Sequence, residues 1–172
     1  MIAKCLFSKK AHLEVKKWEE ESNKSVEICT CEICDPEVCP CLKSIFISEY
    51  GKNCGCKKCP SKAMRVGRTI PVMLFRTQKC GWSIRTMANI AKHRHVMEYV
   101  GVIKTYEECE QINNQTYLCN CDLPDSTVKF DVDGTKYGNE SRFINYHCDP
   151  NLDAFSVFGY CSNPSLPRVV FY

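Results

Sequence analysis

Eight cysteines crowd one short stretch of the chain: Cys29, Cys31, Cys34, Cys39, Cys41, Cys54, Cys56 and Cys59. Their spacing is C-x-C-x2-C-x4-C-x-C, a 12-residue gap, then C-x-C-x2-C. Close pairs of this kind deliver two thiolates from one tight turn, and a tetrahedral Zn2+ takes four. Eight thiolates satisfy two separate four-cysteine sites or a three-metal cluster in which some sulfurs bridge, so two or three Zn2+ are expected. Closed thiolate shells leave no position for substrate, so the role expected of this metal is structural.

Disulfides are the competing chemistry. The chain has 15 cysteines, an odd number, and the seven outside the cluster are scattered. Met1–Lys10 has neither the apolar stretch nor the small-residue cleavage site of a secretory leader. Metal is therefore favoured over a disulfide scaffold. The two N-x-[ST] sequons, at Asn114 and Asn139, match a pattern short enough to arise by chance.

Around this cluster the chain must supply a framework. Its 172 residues suffice for one domain or a domain with a small module. An apolar content of 44% is ample for a core, which excludes a disordered chain. No apolar run approaches the roughly 18 residues of a membrane span, so no membrane partner is expected. The balance of 23 basic against 20 acidic residues, with only the short clusters Lys9-Lys10, Lys16-Lys17 and Lys57-Lys58, does not make a phosphate track. No direct sequence-specific nucleic-acid binding is expected. His93 and His95, flanking Arg94, read as surface or turn residues.

Three regions follow. Residues 1–24 read as a charged N-terminal arm, exposed and loosely helical. Residues 25–67 form the zinc-binding module, too poor in apolar periodicity to hold a core of its own. Residues 68–172 read as mostly β with little helix. Ile70–Phe75, His95–Ile103, Gln115–Cys119, Val128–Val132 and Arg168–Tyr172 are rich in β-branched or aromatic residues. Glu107–Ile112 is a plausible short helix.

Four motifs in this last region fall in a telling order. They are Cys80-Gly81-Trp82-Ser83-Ile84-Arg85-Thr86, Met97-Glu98-Tyr99-Val100-Gly101-Val102-Ile103, Thr116-Tyr117-Leu118, and Gly138-Asn139-Glu140-Ser141-Arg142-Phe143-Ile144-Asn145-Tyr146-His147-Cys148-Asp149-Pro150-Asn151-Leu152. Together they resemble a SET domain, the β-clip-like fold of protein-lysine methyltransferases. The cysteine module resembles its pre-SET zinc cluster. The combination is similar to the suppressor-of-variegation class, whose members methylate lysine-9 of histone H3.

The resemblance implies an S-adenosylmethionine site at Gly81, Trp82, Ser83, Tyr117, Arg142, Phe143, Asn145 and Tyr146. It implies catalytic roles for Tyr117 and Tyr99, although each would otherwise read as a packed strand residue. It also implies a histone H3 tail as substrate, chromatin as partner, and the nucleus and chromosome as location. Cys148 matches a family cysteine that joins three post-SET cysteines around a further zinc.

Several positions depart from the family pattern. Ser83 replaces a glycine of the Gly-Trp-Gly turn and is expected to tighten or crowd it. Tyr146 stands where the family has histidine, Val102 where it has glutamate, and Tyr50 where it has a ninth pre-SET cysteine. Ser61-Lys62 stands for the Asn-Arg that follows the last pre-SET cysteine and proline. The family continues past Tyr172 into a Phe-Asp-Tyr-type motif and the post-SET module, so Cys148 is expected to bind zinc only with such a partner. Two readings stay open: a methyltransferase, and a catalytically weak or inactive zinc-binding SET-fold protein that engages chromatin.

Overall fold

A computed structural model describes residues 5–21, 47–48, 67–92, 94–122, 126–158 and 168–172. The eight clustered cysteines lie outside the described residues, as does nearly all of the expected zinc module. In chain order the elements are β1 (Leu6–Phe7), α1 (Lys9–Glu21), β2 (Ile47–Ser48), β3 (Val72–Thr77) and β4 (Gly81–Thr86). Then come β5 (Met97–Tyr99), β6 (Val102–Thr105), α2 (Tyr106–Glu110), β7 (Leu118–Asn120) and β8 (Phe130–Asp133). A 3-10 turn (Glu140–Phe143), β9 (Ala154–Phe158) and β10 (Arg168–Phe171) complete the set. The β-branched and aromatic runs thus become short strands in small sheets, as expected of a mostly-β chain.

One sheet has the order β1-β6-β8-β7 and a second the order β2-β9-β10-β5, while β3 and β4 form a separate hairpin. Inward residues of β5, β6, β8 and β10, namely Tyr99, Ile103, Phe130, Val132 and Val169, meet in one core. A second cluster of Ile70, Val96 and Met97, flanked by Ile84 and Ile144, packs the hairpin beside the 3-10 turn.

Several boundaries move for local reasons. Pro71 cannot donate to a ladder, so the first expected strand begins only at Val72. The run His95–Ile103 divides into β5 and β6 at Val100-Gly101. A Cβ on Gly101 would lie 2.5 Å from the Asp133 carbonyl oxygen, so only glycine admits this approach of β6 to β8. The expected helix starts one residue early, at Tyr106, because Thr105 and Glu108 form a capping box. Strands β1, β2, β4 and β9 fall outside the expected strand runs.

The N-terminal segment departs from the exposed arm expected of it. Ala11 and Val15, one turn apart on α1, are fully buried in the main core. The Ser8 hydroxyl accepts from the Ala11 N–H at 3.0 Å and donates to Glu108 Oε2 at 2.7 Å. Glu108 Oε2 also accepts from the Thr105 N–H at 2.9 Å, so one carboxylate ties the starts of both helices together. The charged residues still face water, and the Lys10–Glu107 pair, exposed on both sides, adds little.

His95 also departs from its surface assignment. It is 6% exposed and meets Tyr172 edge-on, with ring centroids 5.6 Å apart. Among the described residues, no helix is long and apolar enough to cross a membrane.

Candidate functional site

Four of the residues singled out in the sequence meet where β5, β7 and the 3-10 turn converge. Tyr99, at the end of β5, is 5% exposed, and its hydroxyl donates to the Tyr117 carbonyl oxygen at 2.7 Å. The Arg142 guanidinium lies 5.3 Å from the centre of the Tyr117 ring and 4.8 Å from that of Phe143. The two rings meet edge-on, 6.1 Å apart. Arg142 Nη1 donates to the carbonyl oxygens of Gly134 and Thr135 at 2.9 and 3.2 Å, which fixes the guanidinium between the aromatic faces. Burial, reinforced by nearby Cys119 and Asp133, pushes the Tyr99 phenol well above its ordinary range, so it remains a neutral donor.

The 3-10 turn that carries Arg142 and Phe143 is itself anchored. Asn139 caps it, accepting from the Ser141 N–H at 3.3 Å, and the Ser141 hydroxyl also donates to Asn139 Oδ1. The other end of the same amide donates to the Glu98 carbonyl oxygen at 2.8 Å. The second sequon asparagine is thus spent on packing. The Glu98 carboxylate forms a buried two-point pair with Arg168 of β10. Burial raises the Glu98 carboxyl while Arg168 pulls against that rise. Composition gave no sign of Glu98, Asn139, Ser141 or Arg168; only the asparagine-to-serine cap has a local signature.

The second group lies on the hairpin side. Gly81 opens β4 at φ +70°, in the left-handed region that glycine adopts without strain. Trp82 is 53% exposed, whereas Ser83, on the opposite face of the strand, is 2% exposed. Ser83 Oγ accepts from Asn145 Nδ2 at 2.8 Å. The side chain expected to tighten or crowd the turn faces inward and ties β4 to the segment after the 3-10 turn. Beside the first group is an open cavity of about 500 Å3, lined by Lys136, Gly138, Asn139, Glu140, Arg142 and Phe143.

Tyr146 does not join the others; it is 93% exposed. Cys148 is also exposed. Among the described residues, no group of three or more His, Cys, Asp or Glu could hold a metal ion. Tyr99 reaches the cluster through the Tyr117 carbonyl. The Tyr117 hydroxyl, by contrast, has no hydrogen-bond partner among the described residues.

Comparison with known proteins agrees with this geometry. The SET domain family matches residues 81–172. Mouse histone-lysine N-methyltransferase SUV39H2 is 36% identical over 132 residues, covering 73% of this chain but only 28% of the relative's length. Arabidopsis thaliana SUVH6, solved in complex with S-adenosylmethionine, superimposes with a TM-score of 0.71 over 99% of this chain and 41% of its own, at 24% identity. That likeness is one of fold. The Neurospora SET domain protein DIM-5, a histone lysine methyltransferase, gives a TM-score of 0.63 at 26% identity, covering 90% of this chain and 65% of its own. The tyrosine–arginine cluster and the Ser83–Asn145 tie both fall inside the matched segment, and the chain belongs to the SET-domain family.

Proposed function

We propose that this chain is the SET portion of a protein-lysine N-methyltransferase that takes S-adenosylmethionine and acts on lysine-9 of the histone H3 tail. The observation that carries this reading is the Tyr117–Arg142–Phe143 cluster, two of whose members, Arg142 and Phe143, line an open cavity. The cavity volume lies within the roughly 300–1,000 Å3 range of small-molecule sites. The residues present fit the cofactor. Lys136 and Arg142 of the cavity lining would supply cations for its carboxylate, and the nearby Asn145 amide and half-exposed Trp82 ring would supply polar and aromatic contacts. Bound there, the cofactor supplies a methyl group on a sulfonium, open to in-line displacement by an amine.

The chain's own residues then have three tasks. Tyr117 keeps a free phenol with which to orient the lysine amine. Tyr99 holds Tyr117 from behind by its backbone carbonyl. The aromatic walls strip water from the amine, which lowers its pKa and favours the neutral nucleophile.

The same reading gives the eight clustered cysteines to two or three structural Zn2+, because thiolates at these spacings suit that ion. It makes the histone H3 tail the partner and nuclear chromatin the place of action. Calorimetric titration of the zinc-loaded chain with S-adenosylmethionine tests the cofactor assignment. Saturable binding that Arg142→Ala weakens at least tenfold supports it. A folded chain that takes up no cofactor overturns it.

A further inference from the structure

We infer that Ser83 is a positioning residue: its buried hydroxyl anchors the Asn145 carboxamide, so that Asn145 meets the cofactor already held in place. The inference rests on the cofactor reading above and adds to it a residue that the family's glycine cannot supply.

The geometry is direct. Ser83 is 2% exposed while Asn145 is exposed, so the bond runs from the protein interior to the site surface. Asn145 Nδ2 is committed to Ser83 Oγ at 2.8 Å, and Asn145 Oδ1 has no partner among the described residues. An amide anchored at one end in this way keeps its other polar atom for a ligand. The torsional freedom of the asparagine is already spent in the unliganded chain, and that pre-organisation favours binding.

The tie also has a rigid base. Ser83 pairs with Phe75 across the β3–β4 hairpin, and its neighbour Ile84 packs in the cluster that holds Ile144, the residue before Asn145. The hydroxyl therefore sits at a fixed height under the amide. A glycine at position 83 would keep the strand and lose the anchor.

Ser83→Ala and Ser83→Gly test the inference on the full chain, with Asn145→Ala and the double variants closing a mutant cycle. Ser83→Gly guards against misfolding, because it fills no space and the family's turn carries glycine here. Both single variants are expected to weaken S-adenosylmethionine binding about three- to ten-fold, the loss of one hydrogen bond. KM for the cofactor should rise while kcat stays nearly constant and the chain still unfolds cooperatively, with a thermal midpoint lowered by several degrees at most. In the Asn145→Ala background the Ser83 substitutions should cost nothing more. Unchanged or tighter cofactor binding in both Ser83 variants overturns the inference, as does a loss that adds to that of Asn145→Ala. If the unsubstituted chain binds no cofactor, the cofactor reading falls and this inference with it. Binding by that chain with no effect of Ser83 removes this inference alone.

Discussion

The Tyr99 hydroxyl reaches across 18 residues to the Tyr117 carbonyl oxygen, and the Arg142 guanidinium lies on the face of the tyrosine thus held. Tyr99→Phe removes this donor and leaves the Tyr117 carbonyl with the Gly134 N–H, at 3.0 Å. We expect about 1 kcal/mol of lost stability in urea denaturation, with weaker cofactor binding. Unchanged stability and affinity would show that the hydroxyl does not hold Tyr117.

Glu98 and Arg168 lie 5–10% exposed by side chain, joining β5 to β10 beneath the 3-10 turn. Arg168→Met strands the carboxylate in the interior, and a loss of about 3–5 kcal/mol is expected from chemical denaturation. Replacing both residues with methionine should recover most of that loss, because no charge is then left buried. A double variant as unstable as the single one would contradict this account.

The pH dependence of stability follows from His95. Burial, with Arg168 and Arg94 nearby, lowers its pKa from 6.5 to about 4. Between those values the unfolded chain binds a proton that the folded chain refuses. Stability should therefore fall as pH drops from about 6.5 to about 4, by on the order of 3 kcal/mol at most. His95→Phe keeps an aromatic edge against Tyr172 and should flatten this slope in denaturation curves across the window. An equal slope in the variant would assign the effect to other groups.

The sequence made β3, β5, β6, β7, β8 and β10 legible because β-branched runs separated by glycine and asparagine have few other uses, whereas β4 and β9 lack such runs. It made the Tyr117, Arg142 and Asn145 positions legible because their motifs occur in a fixed order. It did not disclose the docking of α1. There Ala11 and Val15 of the buried face stand in a run of lysines and glutamates that reads as solvated. Nor did it disclose the Glu98–Arg168 pair, whose members are 70 residues apart, because nothing in either residue's neighbourhood marks its partner. Ser83 was visible as a departure. Its effect was not, because whether an added hydroxyl crowds a turn or finds a partner depends on the face of β4 it occupies.

The zinc assignment has its own check. Metal analysis of the purified chain should give two or three Zn2+, and strong chelators should release them with loss of cooperative unfolding. A folded chain free of zinc would contradict the assignment of the eight cysteines.

The central claim is methyl transfer, and labelled S-adenosylmethionine with a histone H3-tail peptide tests it most directly. The account predicts label on the peptide, lost when its lysine-9 is replaced by arginine and strongly reduced in Tyr117→Phe. No transfer by a folded, zinc-loaded chain that binds the cofactor would contradict it and leave a SET fold that engages its ligand without turnover.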